Sequence, residues 1–138
     1  MNAVLDASTT IAWCYENEQS PAIIRFMSGL NIRAAYVPAI WRLEVANALR
    51  TGVKRGRISV AHRDKQLHDL ALLNIMTDLA TDRHAWGTTI ALSDRYGLTS
   101  YDACYLELAQ RLNLPLATLD AALAAAAKAA KIKLVKLQ

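Results

Sequence analysis

Short apolar runs of strand length alternate with helix-period segments along this chain, and an aspartate closes two of those runs. Ala3-Val4-Leu5 ends at Asp6, and Leu116-Ala117-Thr118-Leu119 ends at Asp120. Parallel strands are buried on both faces, read as continuous apolar runs, and need a helical crossover between them. The alternation therefore predicts an α/β fold with a mostly parallel central sheet of four to five strands flanked by helices. At 138 residues the chain has length for one domain and one core. It shows no internal repeat and no linker, so residues 1–138 read as a single domain.

The expected elements follow from period and punctuation. Val4-Leu5 is a strand, and a helix from Asp6 carries Ile11, Ala12 and Cys14. Ser20 caps a helix opened by Pro21, which turns Ile23, Ile24 and Met27 inward and stops at Gly29. Ala34 to Val37 is a strand closed by Pro38. A long helix then runs to about Arg50, broken by Gly52 and Gly56. Ser59 caps a helix with Leu67, Leu70 and Ala71 on one face, and Leu73 to Met76 is a short strand. A helix from Asp82 passes Trp86, Ile90 and Leu92 to Tyr96-Gly97. Thr99 or Ser100 caps the next helix, whose stripe is Tyr101, Cys104, Tyr105, Leu108, Ala109 and Leu112. Asn113 and Pro115 stop it. After the strand Leu116 to Leu119, Asp120 opens an alanine-rich helix, and Ile132 to Val135 forms a last strand with Lys131, Lys133 and Lys136 at a solvent-facing edge.

Two further acids interrupt apolar helical segments: Glu44 in Trp41 to Leu49, and Asp102 in Tyr101 to Leu106. Sites in open parallel sheets form beyond the carboxyl ends of the strands, where Asp6 and Asp120 fall. Carboxylates at the border of an apolar core are costly without a cation. Taken singly, Asp6 and Asp120 read first as helix caps, and Thr99 to Asp102 fits a capping box. Glu44 does not; it shares a helical face with Trp41 and Ala48, with Asn47 on the same side. Its ordinary partner would be Arg42 or Arg50. Taken together, the four acids point to a divalent metal held by hard oxygen ligands. His62, His68 and His84 show no zinc spacing.

Composition narrows the setting. Hydrophobic residues make up 54%, which argues against disorder, and the net charge of +4 fits an anionic partner without demanding one. Cys14 and Cys104 read as buried reduced thiols, in keeping with a cytoplasmic protein. The N-terminal residues read as lacking a signal peptide, and no apolar run approaches the roughly 20 residues that span a bilayer. Arg50, Lys54, Arg55 and Arg57 form a basic cluster suited equally to phosphate contact and to a solvated helix end. Trp13, Trp41 and Trp86 read as core or interface residues before base-stacking ones.

These residues resemble the PIN-domain nucleases. Asp6-Ala7-Ser8 followed by Trp13 is similar to the opening motif of that family. Pro38, Trp41, Glu44-Val45, Asn47 and Leu49 resemble its second acidic motif. Leu98-Thr99, Tyr101-Asp102-Ala103, Tyr105-Leu106 and Leu108-Ala109 resemble the third, and Leu116-Ala117-Thr118 with Asp120 the fourth. The short single domain resembles the VapC-type toxins of toxin–antitoxin pairs. The resemblance implies a single PIN-like domain over 1–138 and a Mg²⁺- or Mn²⁺-dependent endoribonuclease. It also implies a cognate VapB-type antitoxin and a homodimer. Asp6 and Asp102 would bind metal directly, Glu44 and Asp120 directly or through water, with Ser8, Thr118 and Asn47 in support.

Three other readings make different demands. A response-regulator-like receiver module needs a phosphoacceptor aspartate after its third strand, in the region Asn74 to Asp78. An aspartate-nucleophile phosphatase wants a second aspartate where this chain has Ser8. A non-catalytic RNA-binding PIN scaffold has no use for four clustered acids, which repel RNA.

Overall fold

The computed structural model describes residues 1–138. In chain order the elements are β1 (Ala3–Leu5), α1 (Ala7–Cys14), α2 (Pro21–Ser28), β2 (Ala35–Val37), α3 (Trp41–Lys54), α4 (Val60–Ala71) and β3 (Ile75–Thr77). There follow α5 (Thr81–His84), a π-helical stretch (Ala85–Thr89), α6 (Ile90–Tyr96), α7 (Ser100–Leu112), β4 (Leu116–Ala117) and α8 (Ala121–Ala129). The four strands form one parallel sheet in the order β3-β2-β1-β4. The α/β class with a parallel sheet and flanking helices is the one the alternating pattern predicts.

β1 lies inside the sheet, and all three of its residues are buried. Val4 pairs with Tyr36 on one side and Leu116 on the other. The core of Met27, Leu30, Leu49, Leu106 and Leu108 packs around it. Because β1 and β4 are parallel neighbours, their carboxyl ends meet, and the Asp6 amide donates to Ala117 O at 2.9 Å. The strand register thus brings Asp6 and Asp120 to one end of the molecule.

Several boundaries differ from expectation, each for a local reason. Gly52 does not break α3. It is buried within it, because the Tyr15 hydroxyl sits where a Cβ would project, 2.0 Å away. The helix instead runs to Lys54 and turns at Gly56, whose φ of +73° suits glycine. The last expected strand is a single parallel bridge, Leu116 to Leu134, since β4 is only two residues long. β4 itself stops at Ala117, where Thr118 turns its hydroxyl to Asp6. β3 begins at Ile75 rather than Leu73 and forms the other sheet edge.

Three side chains expected inward face out. Ile24 is 43% exposed, and Tyr101 and Leu112, at the two ends of the α7 stripe, are 67% and 37% exposed. α4 buries only Leu70 of its expected face. Leu67 and Ala71 instead line an apolar cavity of about 240 Å³ with Trp41, Val45, Leu73 and Ile75. The helix expected from Asp82 starts at Thr81 and contains the π turn. That turn buries Thr89 and leaves Trp86 94% exposed, so Trp86 is no core residue. Trp41 is one: it is buried, and its indole N–H donates to Thr10 Oγ1 at 3.1 Å. Ser20, Ser59 and Thr99 cap their helices as expected. Lys131, Lys133 and Lys136 are exposed beside β4.

Candidate metal centre

Four elements deliver one acid each to a single cavity. Asp6 follows β1, Glu44 sits in the first turn of α3, Asp102 in the first turn of α7, and Asp120 caps α8. All four line a cavity of about 310 Å³ together with Ser8, Ile11, Asn47 and Ala48. No Lys, Arg or His lines it. The sequence-predicted acids and two of their three expected supports, Ser8 and Asn47, therefore share one place. Thr118, the third, touches it through Asp6.

The hydrogen bonds separate cap from site for each acid. Asp6 makes no side-chain cap to α1. Its Oδ2 accepts instead from Ser8 Oγ at 2.6 Å and Thr118 Oγ1 at 2.7 Å. Those hydroxyls accept in turn from the amides of Leu119 and Asp120, both at 3.0 Å. The β4–α8 turn thus orients Asp6 through two hydroxyls. Asp120 does cap α8, with Leu123 N donating to Oδ2 at 2.8 Å, and lines the cavity as well. At Asp102 the backbone amide is capped by Thr99 Oγ1.

Glu44 has neither expected partner. Arg42 and Arg50 make no ion pair with it; its Oε1 accepts from the hydroxyl of Tyr105, one turn beyond Asp102 on α7. Reading Tyr105 only as part of an apolar stripe missed this contact. The available signal was a phenol, which when buried needs a polar partner, three residues from an acid on the same helix.

The electrostatics are those of clustered, partly buried carboxyls without a neighbouring positive charge. Burial pushes the Asp6 carboxyl above its ordinary range against the pull of Ser8 and Thr118, and Asp120 adds repulsion. Glu44 is raised by burial and by Asp6 and Asp102, with Tyr105 opposing. Asp102 is raised by burial and then by Asp120 and Asp6. The donor set, carboxylate oxygens with no internal counter-charge, fits a hard divalent ion. As the side chains stand, no group of three His, Cys, Asp or Glu is arranged to chelate an ion directly.

The other candidates are spent elsewhere. His62 Nε2 lies 2.9 Å from Cys14 O. Cys14 and Cys104 are free and buried, and burial pushes the Cys14 thiol up to about 12. Arg57 pairs with Glu18 at 2.7 Å and lies over the Tyr15 ring, whereas Arg50, Lys54 and Arg55 are exposed and unpaired. Asp78, the aspartate a receiver module would use, follows an edge strand and is gripped by both terminal nitrogens of Arg111. It does not line the acid cavity, so the receiver reading is not favoured. Ser8, at the second-aspartate position of the phosphatase reading, donates to Asp6.

No helix is long and apolar enough to cross a membrane. No curated protein matches the chain. Among solved structures it is similar to PAE2754 from Pyrobaculum aerophilum, with a TM-score of 0.68 and 23% identity over 91% of this chain and 84% of that one. That likeness speaks for the fold. The profile of the PIN domain matches residues 3–129, a span that includes all four acids and both strand ends they follow, and the chain belongs to the PIN-domain family.

Proposed function

We propose that this protein is a Mg²⁺- or Mn²⁺-dependent endoribonuclease acting as the toxin of a VapBC-type toxin–antitoxin pair in the cytoplasm. One observation carries the reading: four carboxylates from four separate elements line one cavity with no cationic side chain beside them. Membership of the PIN-domain family, a nuclease superfamily, supports it.

A divalent ion bound there supplies Lewis-acid polarisation of a phosphate and acidification of water. Asp6 and Asp102 would hold that ion, and Glu44 and Asp120 would hold it directly or through water. Ser8 and Thr118 fix the Asp6 carboxylate in one rotamer by donating to Oδ2. Asn47 lines the same cavity and offers an amide N–H to a phosphate oxygen. No protein nucleophile is required. Water attacks phosphorus in line with the 3′-oxygen, leaving a 5′-phosphate and a 3′-hydroxyl.

The surface supports the remaining assignments. Arg50 and Lys54, unpaired near the end of the helix that carries Glu44 in its first turn, suit an RNA backbone; Glu44 and Lys54 are about 15 Å apart along the helix axis. The apolar cavity between α3 and α4, with Arg42 at its rim, suits an apolar segment of a VapB-type antitoxin. Exposed Trp86, Leu79, Met76 and Ile90, on and after edge strand β3, suit a homodimer contact.

End-mapping of RNA incubated with the antitoxin-free protein tests the reading. Cleavage that needs Mn²⁺ or Mg²⁺, stops with chelator and leaves 5′-phosphate ends is expected. Cleavage that persists in chelator, or 2′,3′-cyclic phosphate ends, would refute it. A receptive but uncleaved RNA would favour the scaffold reading.

A further inference from the structure

We infer that Tyr105 is the positioning residue of the acid cavity: its hydroxyl holds one oxygen of Glu44 so that the other is presented to a divalent cation. The inference rests on the metal-site reading above and assigns a role to a residue that touches neither ion nor substrate.

Tyr105 is fully buried, with 0% of its surface exposed. It lies one helical turn after Asp102, so α7 delivers an acid and a phenol toward α3 together. The hydroxyl bonds to Glu44 Oε1 across 61 residues of sequence, and Oε2 has no protein partner. A buried phenol must find an acceptor, and a backbone carbonyl would satisfy it as well. Here the acceptor is instead a carboxylate that lines the cavity and has no counter-charge.

Geometry makes the bond consequential. Glu44 is only half-buried, and its three side-chain torsions would let it swing toward solvent, away from Asp6 and Asp102. Asp6 is restrained by two hydroxyls and Asp120 by its helix cap. Tyr105 is the corresponding restraint for Glu44. With Oε1 bonded to the phenol, Oε2 is the Glu44 oxygen left free of protein partners for a cation. The alternative is a strut that merely joins α3 to α7.

A double-mutant cycle on Mn²⁺ affinity separates the two. Calorimetric titration with MnCl₂, carried to millimolar concentration, is applied to the wild type, Tyr105→Phe, Glu44→Ala and the double variant. Tyr105→Phe keeps the ring and removes only the hydroxyl. It is expected to weaken Mn²⁺ binding about tenfold, the lower end of losses for groups that orient metal ligands. In the Glu44→Ala background the same change should alter affinity less than about twofold. Wild-type affinity in Tyr105→Phe, or an equal loss in both backgrounds, would overturn the role. A wild type that binds no Mn²⁺ would bring down the metal-site reading itself, and this inference with it.

Discussion

Helix α7 serves two acid-rich sites with opposite electrostatics. At its first turn Asp102 joins Asp6, Glu44 and Asp120 around a cavity that no basic side chain lines. About one and a half turns later Glu107, 3% exposed, meets Arg111, which also takes both oxygens of Asp78 at 3.1 and 2.6 Å. Thr81 donates to Asp78 and accepts from the Ala39 amide at 2.9 Å, so this clamp ties α7 to the approaches of α3 and α5. In the clamp, burial is the largest single influence and opposes the charge of Asp78, but Arg111, the Ala80 amide and Thr81 together outweigh it and hold the carboxyl below its usual range. In the cavity the shifts of Asp6, Glu44 and Asp102 run upward. One cluster carries its cation in the sequence; the other has none among the side chains that line it.

The contrast can be broken most forcefully through activity. Asp6→Asn and Asp102→Asn should lower RNA cleavage by about 10²–10³-fold or more, the loss typical when a preorganised electrostatic group is removed. The fold, read by circular dichroism, should persist. Retained cleavage in either variant would remove that acid from the site.

Added metal should distinguish the two clusters by stability. At 100 times its dissociation constant, Mn²⁺ should stabilise the wild type by about 2.7 kcal/mol, read as a rise in Tm that Asp6→Asn abolishes. Asp78→Asn should leave that rise intact. The clamp has its own signature: Arg111→Met strands Glu107 and Asp78, and should cost about 2 kcal/mol in urea unfolding. Full burial would make the loss larger, but Arg111 keeps 24% of its side chain exposed.

The smallest effect is in the pH profile of the metal-free protein. Carboxyls raised in the fold favour the native state fully below their ordinary pKa, near 3.8 for aspartate, and that contribution is lost as pH rises through the folded value. Metal-free Asp6→Asn should therefore melt at or above the wild type at pH 7, with the difference vanishing near pH 3. Asp78, lowered, works in the opposite sense. Its contribution is present above the ordinary aspartate value and fades as pH falls through the folded one, so Asp78→Asn should lose most near neutrality.

The two sites also differ in how readily the sequence discloses them. The four acids stand out because each breaks or ends an apolar run, and parallel strand ends gather two of them by rule. Ser8 and Thr118 were reached only through the resemblance to PIN-domain nucleases, and both donate to Asp6. Tyr105 was hidden because its ring belongs to the apolar stripe while its hydroxyl reaches across to α3. The clamp gave less warning still: Glu107 and Arg111 form an ordinary i,i+4 pair, and Asp78 joins only through the third dimension. For Trp86 the sequence left core and interface both open; the π turn turns it outward and excludes the core, because periodicity assumes a regular helix.

The most direct test of an ion site at one cluster and none at the other is anomalous diffraction from crystals soaked in MnCl₂. A manganese peak is predicted inside the cavity between Asp6, Glu44 and Asp102, with no peak beside Asp78 and Glu107. An empty cavity at saturating Mn²⁺ would contradict the account, as would crystals in which those three carboxylates diverge onto separate surfaces.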